Sequence, residues 1–326
     1  MAPHRTAAEA LARRSRWRWP EVVLWLLAFG MLLMPSGSYL ILNEIAILAL
    51  FALSLDLVLG YAGIVSLGHA AFFGVGAYAA GLLAKHVTGA PLAGLVAAIG
   101  VGALLGFVTS FLVLRGSDLT RLMVTLGIAL VLGEIANALP GVTGGADGLQ
   151  GVVMDRLLGL FEFDLFGRTA YAYSLTTLFA LLMLARVVVR SPFGLSLMAI
   201  RRNPLRAAAL GVPVNGRLVA AYTLAAAYAG AAGALLAQTT AFVSLDVFEF
   251  HRSADLLLVL IIGGAGWLYG GIAGAVVFKL LQDTLASLTP QYWQFWIGLF
   301  LVAFVMVGRQ RLMGGLHGML AVMRRR

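Results

Sequence analysis

The sequence predicts an all-α, polytopic membrane helical bundle of about 8–10 transmembrane segments, some broken by Gly or Pro, with both termini cytoplasmic. Three observations predict it. First, 61% of the 326 residues are hydrophobic and only 11% are charged, with a mean hydropathy of +0.95. A soluble domain of this size does not need that much apolar surface. Second, the stretches 22–43, 57–84, 86–114, 218–245 and 284–308 contain no Asp, Glu, Lys or Arg. A helix needs about 20 apolar residues to cross the hydrocarbon core. These runs also lack the polar alternation of a β-barrel. Third, arginine is unevenly distributed. With the N-terminus inside, the inner segments 1–21, 115–121, 186–217 and 309–326 hold 18 Arg, against four basic residues outside (Lys85, Arg156, Arg168 and Arg252). Cytoplasmic loops collect Arg and Lys, so the net charge of +9 reports orientation rather than nucleic-acid binding. Seven acids, including Asp147, Asp155, Asp246 and Glu249, fall outside.

Ten hydrophobic segments follow, near 22–35, 38–60, 63–84, 91–114, 120–140, 170–189, 217–240, 253–266, 269–288 and 292–308. Pro35-Ser36-Gly37 separates the first pair. The glycine clusters 263–266 and 270–271 separate the eighth and ninth. The first and eighth are too short for a straight crossing and are expected to tilt, kink or re-enter. The domain plan is a basic tail over 1–20, one transmembrane domain over 21–308, and a second basic tail over 309–326. The longest outer stretch, 141–169, either caps the surface or meets an external partner. The first apolar run follows basic residues like a signal peptide, but no convincing cleavage site follows it, so it is read as a retained helix. Cysteine is absent, which removes disulfide and thiol chemistry.

Three motifs carry the functional information. Gly60–Leu83 reads GYAGIVSLGHAAFFGVGAYAAGLL. Its small residues, including Gly68, Gly74 and Gly76, let helix backbones approach closely in lipid. They also permit a broken helix bordering a cavity. Ser66, His69 and Tyr78 add polar groups at membrane depth, suited either to structural hydrogen bonds or to a pathway. The second motif, Leu256–Val277, repeats this character with Gly263, Gly264, Gly266, Gly270 and Gly274. Two glycine-broken stretches in the two halves of a chain suggest an internal repeat around a midplane site. Five histidines without ligand-like spacing predict no metal, and no cofactor motif occurs. Acidic residues within the spans are Glu44, Asp56, Glu134 and Asp283. Such residues are often functional, and Glu134 joins the pathway candidates. The first three are expected near span ends, and Asp283 is expected to neutralise Lys279 four residues before it.

The third motif is the inner loop 190–216, RSPFGLSLMAIRRNPLRAAALGVPVNG, with four arginines at 190, 201, 202 and 206 and no acid. Phe193-Gly194-Leu195 leads into a short predicted helix over 196–209. Its arginines are expected to meet acceptors on a cytoplasmic partner, with Leu197, Ile200, Leu205 and Leu210 giving apolar contact. Topology alone would need fewer arginines. No G-x-x-x-x-G-K-[ST] pattern occurs, so any ATP-derived energy would come from another polypeptide.

These stretches resemble the permease subunits of bacterial high-affinity branched-chain amino acid ABC importers, closer to the LivM type than to its LivH sister. The matching runs are Ser66–Tyr78, Ala199–Val212, Ala225–Ala237 and Gly263–Ala275, in family order over roughly residues 40–315. The resemblance implies a translocation pathway for branched-chain or related amino acids, without catalytic residues, cofactor or metal. It implies ABC ATPase subunits, a second related permease in a heteromeric pair, a periplasmic solute-binding protein and membrane lipid as partners, and no nucleic acid. The location implied is the bacterial inner membrane. The loop would be the ATPase-coupling element, carried by Phe193, Gly194, Leu197, Ile200, Arg201, Arg202, Asn203, Arg206, Leu210 and Gly211. The usual family pattern has acids after the first Arg of this loop, where this chain has Arg202 and Pro204. The competing expectation is a stand-alone ion-coupled secondary transporter using Glu134, Asp56 or His69 as a proton site.

Overall fold

The computed structural model describes residues 19–33, 39–164 and 166–307. The two basic tails lie outside the described residues, apart from Trp19 and Pro20. So do both termini and the Pro35-Ser36-Gly37 break.

All ten predicted segments are helical. They are α1 (Trp19–Gly30), α2 (Tyr39–Leu55), α3 (Ala70–His86), α4 (Pro91–Val113) and α5 (Asp118–Ala138), then α6 (Arg168–Arg190). Two short helices follow, α7 (Pro192–Arg202) and α8 (Pro204–Ala209). The last four are α9 (Val214–Thr240), α10 (Phe250–Gly263), α11 (Gly270–Leu288) and α12 (Trp293–Val307). Among the described residues no strand forms, only the isolated antiparallel bridges Leu149–Val243 and Leu157–Phe161. Six helices are long and apolar enough to cross a membrane: Tyr39–Ala62, α4, α5, α6, α9 and α11. At 12 and 14 residues, α1 and α10 fall short of a straight crossing.

Three features depart from expectation. The predicted 63–84 helix begins only at Ala70, because Gly63 takes a left-handed conformation (φ +77°) that ends the preceding helix. Residues 56–62 of the second segment are π-helical rather than α-helical. The single helix expected over 196–209 is two. Pro204 starts α8 at its first position, and Asn203 caps it by accepting the Arg206 N–H at 2.9 Å. Ser191 caps α7 in the same way, accepting the Phe193 N–H.

The described residues up to 275 form one compact unit and those from 276 a second. In the first, α9 is the central helix, packed on α4, α3 and α2. The approach is close because small residues meet. A Cβ on Gly230 would stand 2.5 Å from the Ala98 carbonyl oxygen, and one on Gly76 would collide with Gly230 itself. Buried polar links tie α2, α6 and α9. The Ser174 hydroxyl donates to Asn43 Oδ1 at 2.6 Å, and Asn43 Nδ2 donates to Thr239 Oγ1 at 3.1 Å. In the second unit Lys279 pairs with Asp283 at 3.1 Å, the neutralisation expected from their spacing.

Helix α1 is tied down at both ends. Trp25 and Phe29 meet the Phe179 ring edge-on, and the Tyr171 hydroxyl donates to the Ala28 carbonyl at 2.8 Å. At its start Glu21 accepts from Arg186 at 2.5 Å, and Arg186 also donates to the Tyr269 hydroxyl at 3.3 Å. Both charged side chains are largely buried (12% and 6% exposed). Removing one partner of such a pair strands the other charge, which costs about 3–5 kcal/mol. Arg186→Met is therefore expected to lower thermal stability in detergent, and Glu21→Gln/Arg186→Met to regain most of the loss. Equal melting of the single and double variants would show that the pair contributes nothing.

The 141–169 stretch caps one end of the unit. Leu149 and Val152 are buried against Gly81 of α3 and beside Val243. The Asp155 N–H donates to the Gly89 carbonyl at 2.9 Å. Asp164 caps the start of α6 through the Arg168 and Thr169 N–H groups. Burial pushes the Asp164 carboxyl up, but those donated bonds outweigh it and hold the group below its ordinary range.

Candidate functional site

The three motifs meet at the arginine-rich end of the first unit. The last turn of α7 lies against the π-helical segment 56–62, and Arg201 donates to the Gly60 carbonyl. The Arg201 stem passes over Gly63, where a Cβ would stand 2.8 Å from its Cγ. Its guanidinium lies beside Gly266, whose φ of +84° an L side chain rarely adopts. The Gly266 N–H donates to Asp56 Oδ1 at 2.6 Å. Asp56 is fully buried, and its Oδ2 has no hydrogen-bond partner. Gly60 is needed here because the Asp56 carboxylate folds back over it. Three stretches distant in sequence thus share one junction, and a side chain of the basic loop is its keystone.

That junction changes the reading of the loop. Leu197 and Ile200, expected to offer apolar contact to a partner, are buried at 3% and hold α7 against its own chain. They lie three residues apart on one helical face, with Arg201 beside them turned back toward Gly60. Gly194 lets α7 turn tightly, since a Cβ there would collide with the Val189 carbonyl. Phe193 lies under the Arg217 guanidinium, 5.3 Å from ring centroid to Cζ. Exposed are Arg201, Arg202, Asn203 and Arg206, with Leu205 at 82% and Leu210 at 78%. A groove of about 580 Å³ between α7 and α8 is lined by Leu195, Met198, Arg202, Arg206 and Leu210 among others. Gly211 closes α8 with a φ of +83°.

The candidates of the first motif lie deeper. His69 is fully buried, its Nε2 2.9 Å from the Ser54 hydroxyl. Its ring stacks on Phe51 and meets Phe72 edge-on. Ser66 is buried with no partner for its hydroxyl, and Tyr78 stacks on Phe248. Gly74 faces that same Phe248 ring, and Gly68 abuts the Thr125 carbonyl. Gly263, Gly270 and Gly274 bring α10 and α11 into backbone contact, and Gly264 (φ +92°) turns the chain between them. Glu134 is exposed in the last turn of α5. Asp56, His69 and Glu134 are not joined by any direct hydrogen bond among the described residues.

Sequence reasoning missed Ser253 and Thr125. The broken stretch 63–69 leaves backbone donors without helical partners. The Ala70 N–H donates to Ser253 Oγ at 3.0 Å, and the Leu67 N–H to Thr125 Oγ1 at 3.2 Å. Irregular backbone at membrane depth persists only where such partners exist. A lone Ser or Thr in an apolar helix carries no signal of that role. Asp246, Glu249 and His251, adjacent in sequence and not singled out there, bring ligand atoms within 4.8 Å of one another. His251 sits between the two acids, and Arg252 already occupies Asp246.

The family model described as "Branched-chain amino acid transport system / permease component" matches residues 39–307. The chain belongs to the branched-chain amino acid permease family. Its relatives include the high-affinity branched-chain amino acid transport system permease protein LivM of Salmonella typhimurium, 30% identical over 78% of this chain and 64% of the relative. LivM of Escherichia coli K12 is 30% identical over 81% and 67%. The chain thus spans about two thirds of the length of these LivM proteins. A fructose import permease protein, FrcC of Rhizobium meliloti, is 26% identical over 88% and 82%. No solved structure gives a significant match. Family membership and the six long apolar helices make this permease-family chain a multi-pass protein of the bacterial inner membrane.

Proposed function

We propose that this chain is the membrane permease subunit of an ABC importer for branched-chain or related amino acids. Separate ATPase subunits drive it. A second, related permease completes the pathway, and a periplasmic binding protein delivers the solute. The 190–216 segment is the cytoplasmic coupling loop of a transmembrane domain over 21–308, between basic cytoplasmic tails. The observation that carries this reading is the groove between α7 and α8. It is basic and apolar, it is exposed, and it is braced from behind on the ends of the spans. A partner seated there pushes on α7. The buried Leu197 and Ile200 and the Arg201–Gly60 bond carry that displacement to the end of the second span. Asp56 passes it to the Gly266 turn between α10 and α11. Alternating access then follows from movement of the spans against one another.

Co-purification with the ATPase subunits tests the reading. Wild type is expected to retain an ATPase. Arg202→Glu/Arg206→Glu is expected to lose it roughly tenfold or more, a loss of about 1.4 kcal/mol per factor of ten, while still inserting in the membrane. Arg202 and Arg206 are the ones to reverse, because Arg201, also exposed, is bonded to the Gly60 carbonyl. Proton-dependent solute movement by the purified chain alone would overturn the proposal.

A further inference from the structure

A second cavity lies at the acid-rich end, remote in sequence from the coupling junction. It is an open cleft of about 830 Å³ between Leu32, just beyond α1, and the first halves of α4 and α6. Leu32, Leu95, Ile99, Tyr173 and Leu181 line it, and Phe161 of the outer stretch stands at its mouth. Its volume falls within the roughly 300–1,000 Å³ of ligand clefts. Two hydroxyls of its wall are already used. The Tyr173 hydroxyl donates to the Pro91 carbonyl, and the Thr176 hydroxyl donates to the Ala172 carbonyl.

We infer that this cleft seats one acyl chain of an outer-leaflet glycerophospholipid, with the phosphate on Arg168. Three observations carry it. The wall is almost wholly apolar, as a hydrocarbon chain requires. The cleft follows α6 from Arg168 to Leu181, thirteen residues or about 20 Å. That covers one leaflet, since half of the hydrocarbon core is about 15 Å. The cation at the rim matches a phosphate. Arg168 is exposed and its guanidinium has no ion pair among the described residues, whereas the neighbouring Arg156 is paired with Glu162. Asp164 makes no ion pair with the Arg168 guanidinium among the described residues; its oxygens accept the backbone N–H groups that start α6. Above the cleft the 157–161 turn exposes Leu158 (67%) and Leu160 (77%). Such a turn suits the boundary between headgroups and chains. The inference does not depend on the transported solute or on the coupling loop.

Native mass spectrometry of the protein released from vesicles of phosphatidylethanolamine and phosphatidylglycerol tests it. Wild type is expected to keep one phospholipid per chain through delipidation. Filling the cleft with Ala172→Trp, or independently with Ala180→Trp, is expected to reduce that adduct at least tenfold. Elution and melting are read alongside, and whichever variant stays folded serves as the filled form. Arg168→Gln is expected to weaken retention severalfold, and soluble glycerophosphate is expected not to compete. Undiminished lipid retention in a folded, filled variant would overturn the inference. So would a photo-crosslinker at position 172 that captures a polypeptide instead of lipid.

Discussion

Gly230→Leu is expected to abolish stable accumulation of the protein, the largest structural effect of any single change considered. The site lies where α9 meets α3 and α4 through backbone alone. A Cβ meets the Ala98 carbonyl on one side, and Gly76 of α3 lies close on the other. Neither obstacle is a flexible side chain that could swing away. Overpacking ordinarily costs about 1–3 kcal/mol, and here the helices themselves must separate, so the upper end or beyond is expected. Gly216→Leu in the same helix is the control, because a Cβ at Gly216 meets nothing within 4 Å. Detergent melting and monodisperse yield give the readout. Similar behaviour of the two variants would show that α9 tolerates displacement and is not the close-packed centre of the unit.

The second large effect is functional. Arg201→Gln is expected to leave the ATPase bound and hydrolysing while transport in proteoliposomes falls at least tenfold. Arg201 holds α7 to the Gly60 carbonyl beside the Asp56–Gly266 link. A hydrogen bond from a charged donor is worth about 1.5–3 kcal/mol, enough to shift a conformational equilibrium by a factor of ten or more. Gly266→Val is expected to have the same phenotype by a different route. It places a branched side chain at a left-handed position and within reach of the Arg201 guanidinium. Docking and coupling would then separate cleanly, with Arg202 and Arg206 affecting ATPase retention and Arg201 affecting transport. Full transport by Arg201→Gln would sink this division of labour.

Much of the site was legible in advance, but only as separate pieces. The loop 190–216 stood out because basic residues between long apolar runs are conspicuous. The glycine clusters stood out because glycine is unusual in such density. Their meeting could not be read, since Asp56 and Gly266 lie 210 positions apart and neither pattern names its partner. The face of α7 was misassigned for a related reason. A short amphipathic helix has an apolar side whether that side meets its own chain or another. Leu197 and Ile200 were therefore equally good candidates for a partner contact until their burial was seen.

By itself the sequence determined the class, the ten helical segments and their approximate ends. It did so because the bilayer imposes a length and a polarity on every crossing, and both are local properties of the chain. It also determined the family, whose motifs are local runs. Only the tertiary structure decided where the 63–69 break finds its hydrogen bonds, why Arg201 turns inward, and which leucines remain for a partner. Those outcomes depend on which backbones approach within contact distance. Glycine, serine and threonine permit that approach without specifying where it occurs.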